Sequence, residues 1–290
     1  MLKVSNLQFR YDNNVVLEDI SFEVAESHIY GLVGENGSGK TTLFNCLSSY
    51  YYPNSGEITY NDAFIENNAS YLKDTILLSE DYYVSMYSIE KLAKKMAILY
   101  DKKYDPKSLE DILKPFALKK DGILKRMSKG QQKIAFICIA LSLNPKRLFL
   151  DEFLDGIDIV NRRLVKDLLL DYIVYNEAII IIASHTTDDI KDICDQLILI
   201  KDKKIKYQTD FDDLKMMYTT YQIVSDTPLT KEALLALGLD VRGFKSLGNI
   251  YWISVKIDDD VNKKMAEIQV KDIRKIKASL EEVIYYEFTA

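Results

Sequence analysis

The stretch Gly34-Glu35-Asn36-Gly37-Ser38-Gly39-Lys40-Thr41 constrains this chain more than any other. It fits the pattern G-x-x-x-x-G-K-[ST]. The apolar run His28 to Val33 precedes it and reads as a buried strand. Thr42 to Leu47 follows and reads as the first turns of a helix. A strand, a glycine-rich loop and a helix in that order form an anion cradle. Its glycines let the backbone turn tightly and approach a ligand. Successive N–H groups and the helix N-terminus present partial positive charge to phosphates. Lys40 adds a full charge at the β- and γ-phosphates, and the Thr41 hydroxyl is a ligand for Mg²⁺.

Composition narrows the class. The chain has 290 residues, which at roughly 100–200 residues per domain means one large domain or one plus a small second. Its net charge of −6 argues against nucleic acid as a main partner, because phosphate contacts demand a basic surface. Cys46, Cys138 and Cys194 are dispersed with no CxxC pair, as expected of reduced, buried thiols. The first residues carry Arg10 and Asp12 and no apolar core of a signal peptide. The longest apolar runs, Ala178–Ala183 and Phe136–Leu141, fall short of the roughly 20 residues a membrane span needs. Any membrane spans would belong to another chain.

The chain then reads in order. Met1 to Gln8 alternates apolar and polar residues, as a half-buried strand does, and Val15 to Val24 returns from a turn at Asn13-Asn14. Tyr11, between them, either packs or offers a face on which a base can stack. Glu57 to Tyr60 and Thr75 to Leu78 are short strands, the second ending at Ser79-Glu80, where a carboxylate can face ligand or solvent. From about Ser88 to Leu143 strand signals vanish, and helical spacing with breaks at Pro106 and Pro115 predicts a helical insertion. Within it, Met127-Ser128-Lys129-Gly130-Gln131 precedes a long helix. This is a capped helix start, and either a second anion site or an ordinary cap.

Arg147 to Leu150 is an apolar strand ending in Asp151-Glu152. Ligands gather at the C-terminal ends of strands in open α/β sheets. Neighbouring strand residues point to opposite faces, so one carboxylate can hold Mg²⁺ and the other can orient a water for in-line attack. Asp158 lies in a turn before a helix over Val160 to Tyr172. Ala178 to Ala183 is a buried strand ending at Ser184-His185, where an imidazole can hydrogen-bond a γ-phosphate. Ile190 to Cys194 is expected to be helical. Leu197–Ile200 and Lys204–Tyr207 form a hairpin, and Phe211 to Met217 a short helix closing the first domain.

The order of these features resembles the ATPase subunit of ABC transporters over about residues 1–215, the Met127–Gln131 signature before the paired carboxylates being the discriminating piece. The resemblance implies a phosphate-loop α/β core with a mixed sheet, an antiparallel β subdomain and a helical subdomain at about 86–144. Domains are expected at 1–217 and 218–290, the second a small α+β appendage with no recognisable site.

The resemblance also assigns roles. Tyr11 would stack on adenine with Val16 beside it. Gly34, Glu35, Asn36, Gly37, Ser38, Gly39, Lys40, Thr41 and Thr42 would hold the phosphates of ATP. Thr41 and Asp151 would serve Mg²⁺, Glu152 would be the catalytic base, and His185 would sense the γ-phosphate. Ser128, Gly130 and Gln131 would contact the ATP held by a second ATPase subunit, identical or not, in a head-to-tail pair with Asp158 at the seam. Three positions depart from the pattern: Glu80 where most members have a Gln serving the metal, Lys129 where they have Gly, and Phe153 where they have Pro. The implied partner is an integral membrane permease at the cytoplasmic side of the cell membrane. The Ser279–Ile284 tail resembles exporters of drugs, lipids or peptides. An importer ATPase and a soluble ATPase acting on ribosomes or DNA are the competing expectations.

Overall fold

The computed structural model describes residues 1–79, 86–184 and 190–289. They divide into two compact units, Met1–Gln208 and Thr209–Ala290.

In the first unit a six-stranded sheet runs in the order Lys204–Asp210, Gln196–Lys201, His28–Val33, Ile179–Ser184, Arg147–Asp151, Thr75–Ser79. The last four strands in that order pair in parallel, and Gln196–Lys201 also lies parallel to His28–Val33. The edge strand arrives through a two-residue turn at Asp202 and Lys203, both with positive φ (51° and 67°), the twist that suits a tight hairpin. Arg147–Asp151 and Ile179–Ser184 are buried along their whole length. That is why both read as unbroken apolar runs rather than alternating ones. Phe44, on the helix Lys40–Leu47, stacks on Phe149 of the central strand at 5.6 Å and fixes that helix against the sheet.

A second, antiparallel sheet has the order Asn14–Val24, Leu2–Tyr11, Ser55–Tyr60, Ala63–Phe64. Leu2, Val4, Leu7, Leu17 and Ile20 point from it into one core shared with Leu43, Leu47 and Ile181. The helical block consists of Ile89–Leu99, Pro106–Leu113 and Lys129–Ser142. Ser88 and Asp105 cap the first two through Lys91 N (3.2 Å) and Lys107 N (2.9 Å), and Pro106 occupies a first-turn position where its missing N–H costs nothing. Lys129–Ser142 is buried from Gln132 onward, so it shows little amphipathicity.

One expectation is corrected here. Ile190–Cys194 is a turn and not a helix, closed by Cys194 N to Ile190 O at 2.8 Å. Asp195 ends it: its N–H donates to Ile29 O (2.7 Å) and its carboxylate accepts Ile29 N–H (2.8 Å), drawing the chain straight into the strand that follows.

The second unit has its own core. Its sheet order is Val241–Leu247, Ile250–Lys256, Tyr218–Val224, Asp272–Ile276, all antiparallel. With the helices Lys231–Ala236 and Val261–Ala266 it forms a β-α-β-β-α-β unit. Those helices cover the face bearing Tyr221, Ile223, Ile253 and Val255. On the opposite face Tyr286, from the helix Leu280–Thr289, donates its hydroxyl to Ser254 (3.0 Å). Phe211–Met216, expected to close the first domain, belongs instead to this unit, where it packs against Leu280–Thr289. All three cysteines are free and buried, and burial pushes the Cys46 thiol up to about 12.

Candidate functional site

The site forms where the loop after His28–Val33 meets the end of Arg147–Asp151. Gly39 caps the helix Lys40–Leu47 with φ 103°, a region that excludes most side chains. A Cβ on Gly39 would lie 2.6 Å from Leu17 Cδ2 and 3.3 Å from Val16 Cγ1, so Val16 sits against the loop. Gly37 faces open space.

Lys40 is only 5% exposed. Its Nζ donates to Gly34 O (2.8 Å) and Glu35 O (3.1 Å), which fold the loop around the ammonium, and it lies 3.7 Å from Glu152 Oε1. Burial pulls its ammonium below the ordinary lysine value, and the Glu152 and Asp151 carboxylates pull the other way. Beside it, Thr41 Oγ1 donates to Asp151 Oδ2 at 2.6 Å.

Two features fit the loop to a phosphate ligand with its cation. Ser38 Oγ is buried with no hydrogen-bond partner among the described residues, an uncompensated cost that a ligand oxygen would remove. The Thr41 hydroxyl and Asp151 carboxylate meet as an oxygen-donor pair of the kind that suits Mg²⁺. Among the described residues no three His, Cys, Asp or Glu side chains converge, so substrate oxygens would complete the shell.

Tyr11 is 45% exposed. Its hydroxyl lies 3.4 Å from Thr42 Oγ1, and its ring meets Phe9 and Tyr51 edge-on at 5.0 and 5.9 Å. The ring is therefore braced while one side stays open. Tyr51 as a brace escaped the sequence reading, because nothing in Tyr50-Tyr51-Tyr52 tells which ring turns inward.

The Ser128 group stands apart. Ser128 Oγ accepts Gln131 N–H (3.2 Å) and Gln131 Oε1 accepts Ser128 N–H (3.1 Å), a reciprocal cap that occupies the Gln131 side chain. Asp158 likewise caps Ile159–Asn176, accepting from Asn161 N (3.0 Å) and Asn161 Nδ2 (2.7 Å); these bonds hold its carboxyl below the usual range. The expectations for Glu80 and His185 lie outside the described residues. Lys133 also escaped the sequence reading. Its Nζ donates to the backbone carbonyls of Glu152 and Asp155, and a lysine five residues into a helix gives no signal of such a contact.

A mixed sheet, a phosphate loop and a strand-end carboxylate pair define a phosphate-loop ATPase. Comparisons with known proteins give the family. A family model described as ABC transporter matches residues 17–155. An uncharacterized ABC transporter ATP-binding protein, MJ1023 of Methanocaldococcus jannaschii, is 32% identical over 76% of this chain and 82% of its own length. The ABC transporter ATP-binding protein YtrB of Bacillus subtilis is 25% identical over 99% of this chain and 98% of its own length. A methionine import ATP-binding protein, MetN of Clostridium tetani, is 25% identical over 74% of this chain and 70% of its own length. Among solved structures, an ATP-binding subunit of an ABC transporter superposes with a TM-score of 0.69 at 22% identity, covering 74% of this chain and 92% of that one. The chain belongs to the family of ABC transporter ATP-binding proteins. It is an ATP-binding subunit that hydrolyses ATP.

Proposed function

We infer that this chain is the motor subunit of a membrane exporter. Two such subunits would work head to tail, with a separate transmembrane permease, at the cytoplasmic side of the cell membrane. The observation that carries this reading is the split of the nucleotide machinery. Lys40, Thr41, Asp151 and Glu152 meet in one site, while the Ser128 cap forms its own helix end. A helix N-terminus that closes on its own Ser128–Gln131 cap, apart from the Lys40 site, fits a nucleotide supplied by a second subunit.

In this reading the loop N–H groups and Lys40 bind the β- and γ-phosphates, and Tyr11 and Val16 take the adenine. Thr41 and Asp151 hold Mg²⁺, which when bound neutralises charge developing on the transferred phosphoryl group. Glu152 orients the attacking water and takes its proton on the carboxylate. His185 and Glu80 keep the roles that the resemblance implies.

No helix of the described residues is long and apolar enough to cross a membrane. The export direction, with peptide, drug or lipid-like cargo, leans on the tail. There Ser279 and Glu282 form a reciprocal cap, Glu282 N to Ser279 Oγ at 3.2 Å and Ser279 N to Glu282 Oε2 at 3.1 Å. An import direction is favoured instead by the likeness to MetN. Capture of the chain from solubilised membranes, with mass spectrometry of what accompanies it, tests the motor role. A polytopic membrane protein is the expected companion; ribosomal or DNA-repair proteins would overturn the reading. Transport by the captured pair in vesicles, with ATP on the motor side, then reads the direction.

A further inference from the structure

Lys133 lies one turn beyond the Ser128 cap on the helix Lys129–Ser142 and is 5% exposed. Its ammonium donates to the carbonyl of Glu152 at 3.1 Å and of Asp155 at 2.8 Å, and sits 5.6 Å from the Phe153 ring centroid. All these contacts fall on one turn, between Arg147–Asp151 and Ile159–Asn176. The same turn touches the helix again at Gly130, where an added Cβ would come within 3.1 Å of Gly156 O.

That turn carries strain at the residue that matters most. Glu152 has φ 51°, a left-handed conformation that side-chain-bearing residues adopt at a cost. Its backbone is pinned from two directions. Its N–H donates to Ala183 O at 3.0 Å, and its carbonyl receives the Lys133 ammonium. The side chain is thereby delivered to within 3.7 Å of Lys40 Nζ. Two carbonyls alone could be satisfied by a neutral donor. An ammonium taken out of water is expensive, and it strengthens each bond it makes.

We propose that Lys133 is a positioning residue for ATP hydrolysis: it clamps the left-handed Glu152 turn to the helix that begins at Ser128. The base and the motif that meets the second nucleotide are then held as one piece. The inference rests on the assignment of Glu152 as the base, and it goes beyond it by naming what fixes that base.

The test is a double-mutant cycle in the full-length chain, reading ATP turnover, KM and nucleotide binding. Lys133→Met should lower kcat by about tenfold to a hundredfold, as a small misplacement of a catalytic group does, with KM and binding within about twofold of wild type. Lys133→Arg should restore part of the loss. In a Glu152→Gln background, Lys133→Met should take nothing further from the residual turnover, because it acts through the group already removed. An undiminished loss in that background, or an unchanged kcat in Lys133→Met alone, would overturn the clamp. Wild-type turnover in Glu152→Gln alone would overturn the base assignment instead. Should Lys133→Met lose its fold by circular dichroism, Lys133→Gln, which keeps one neutral donor, carries the same cycle and the same outcomes.

Discussion

At the scale of single residues, the loop closes on a lysine it has taken largely out of water, the group proposed above to meet the phosphates. The Lys40 ammonium titrates below its ordinary 10.5 because burial outweighs the pull of Glu152 and Asp151. The sign for binding follows. Phosphates favour the charged form, so nucleotide affinity should fall as pH rises through the lowered value, before free lysine would titrate. Lys40→Ala should bind weakly at every pH, lack that alkaline fall and turn over no ATP. Fluorescent-nucleotide titrations across pH check this, and wild-type turnover in Lys40→Ala would remove Lys40 from the site. Glu152→Gln separates binding from chemistry. It keeps the shape of the side chain and loses the proton acceptor, so nucleotide should still bind while hydrolysis drops roughly a hundredfold or more. Turnover and binding measured on one preparation decide it.

At the scale of elements, the strand that ends in the two carboxylates is anchored at its other end by a buried cation. Arg147, 1% exposed, lies with its guanidinium 4.2 Å from the ring centroids of both Tyr60 and Tyr71. Its Nε donates to Thr75 Oγ1 (2.8 Å) and its Nη2 to Tyr71 O (3.0 Å). A planar cation suits two aromatic faces; a lysine would keep the charge and lose the stacking. Arg147→Lys should therefore cost about 2 kcal/mol in urea unfolding of the unit Met1–Gln208. A change below the error of that measurement would mean that charge alone holds the strand.

The elements also show what the sequence could and could not reveal. The strand–loop–helix around Lys40 was legible because the pattern G-x-x-x-x-G-K-[ST] fixes glycines, a lysine and a hydroxyl at set spacing between an apolar run and a helix start. Arg147–Asp151 and Ile179–Ser184 were legible because burial on both faces demands unbroken apolar runs. Asp272–Ile276 was not legible. Every residue of it is exposed, and it is a strand only because Tyr218–Val224 offers it a partner. Ile190–Cys194 has helical composition, and its shape is decided by Asp195 bonding to Ile29, far away in sequence. Lys133 and Tyr51 stayed hidden for the same reason: their roles come from contacts that only the folded chain creates.

At the scale of the whole molecule, two units each carry their own core. The Lys40 site lies wholly within Met1–Gln208, while the second unit closes its own sheet with helices on both faces. Units with separate cores can unfold separately, and a ligand stabilises only the unit that binds it. Calorimetry of the full chain should thus show two transitions. Saturating nucleotide, tested with Glu152→Gln to prevent hydrolysis, should raise only one of them. At about a hundred times the dissociation constant the gain is about 2.7 kcal/mol, large enough to separate overlapping peaks. Arg147→Lys should lower that same transition, which assigns it to Met1–Gln208 independently of the nucleotide. A single transition that nucleotide shifts as a whole would instead show that the second unit depends on the first for its stability. In that case it would feel every nucleotide bound at the loop, and the trailing 82-residue span from Thr209 to Ala290 would belong to the motor cycle itself.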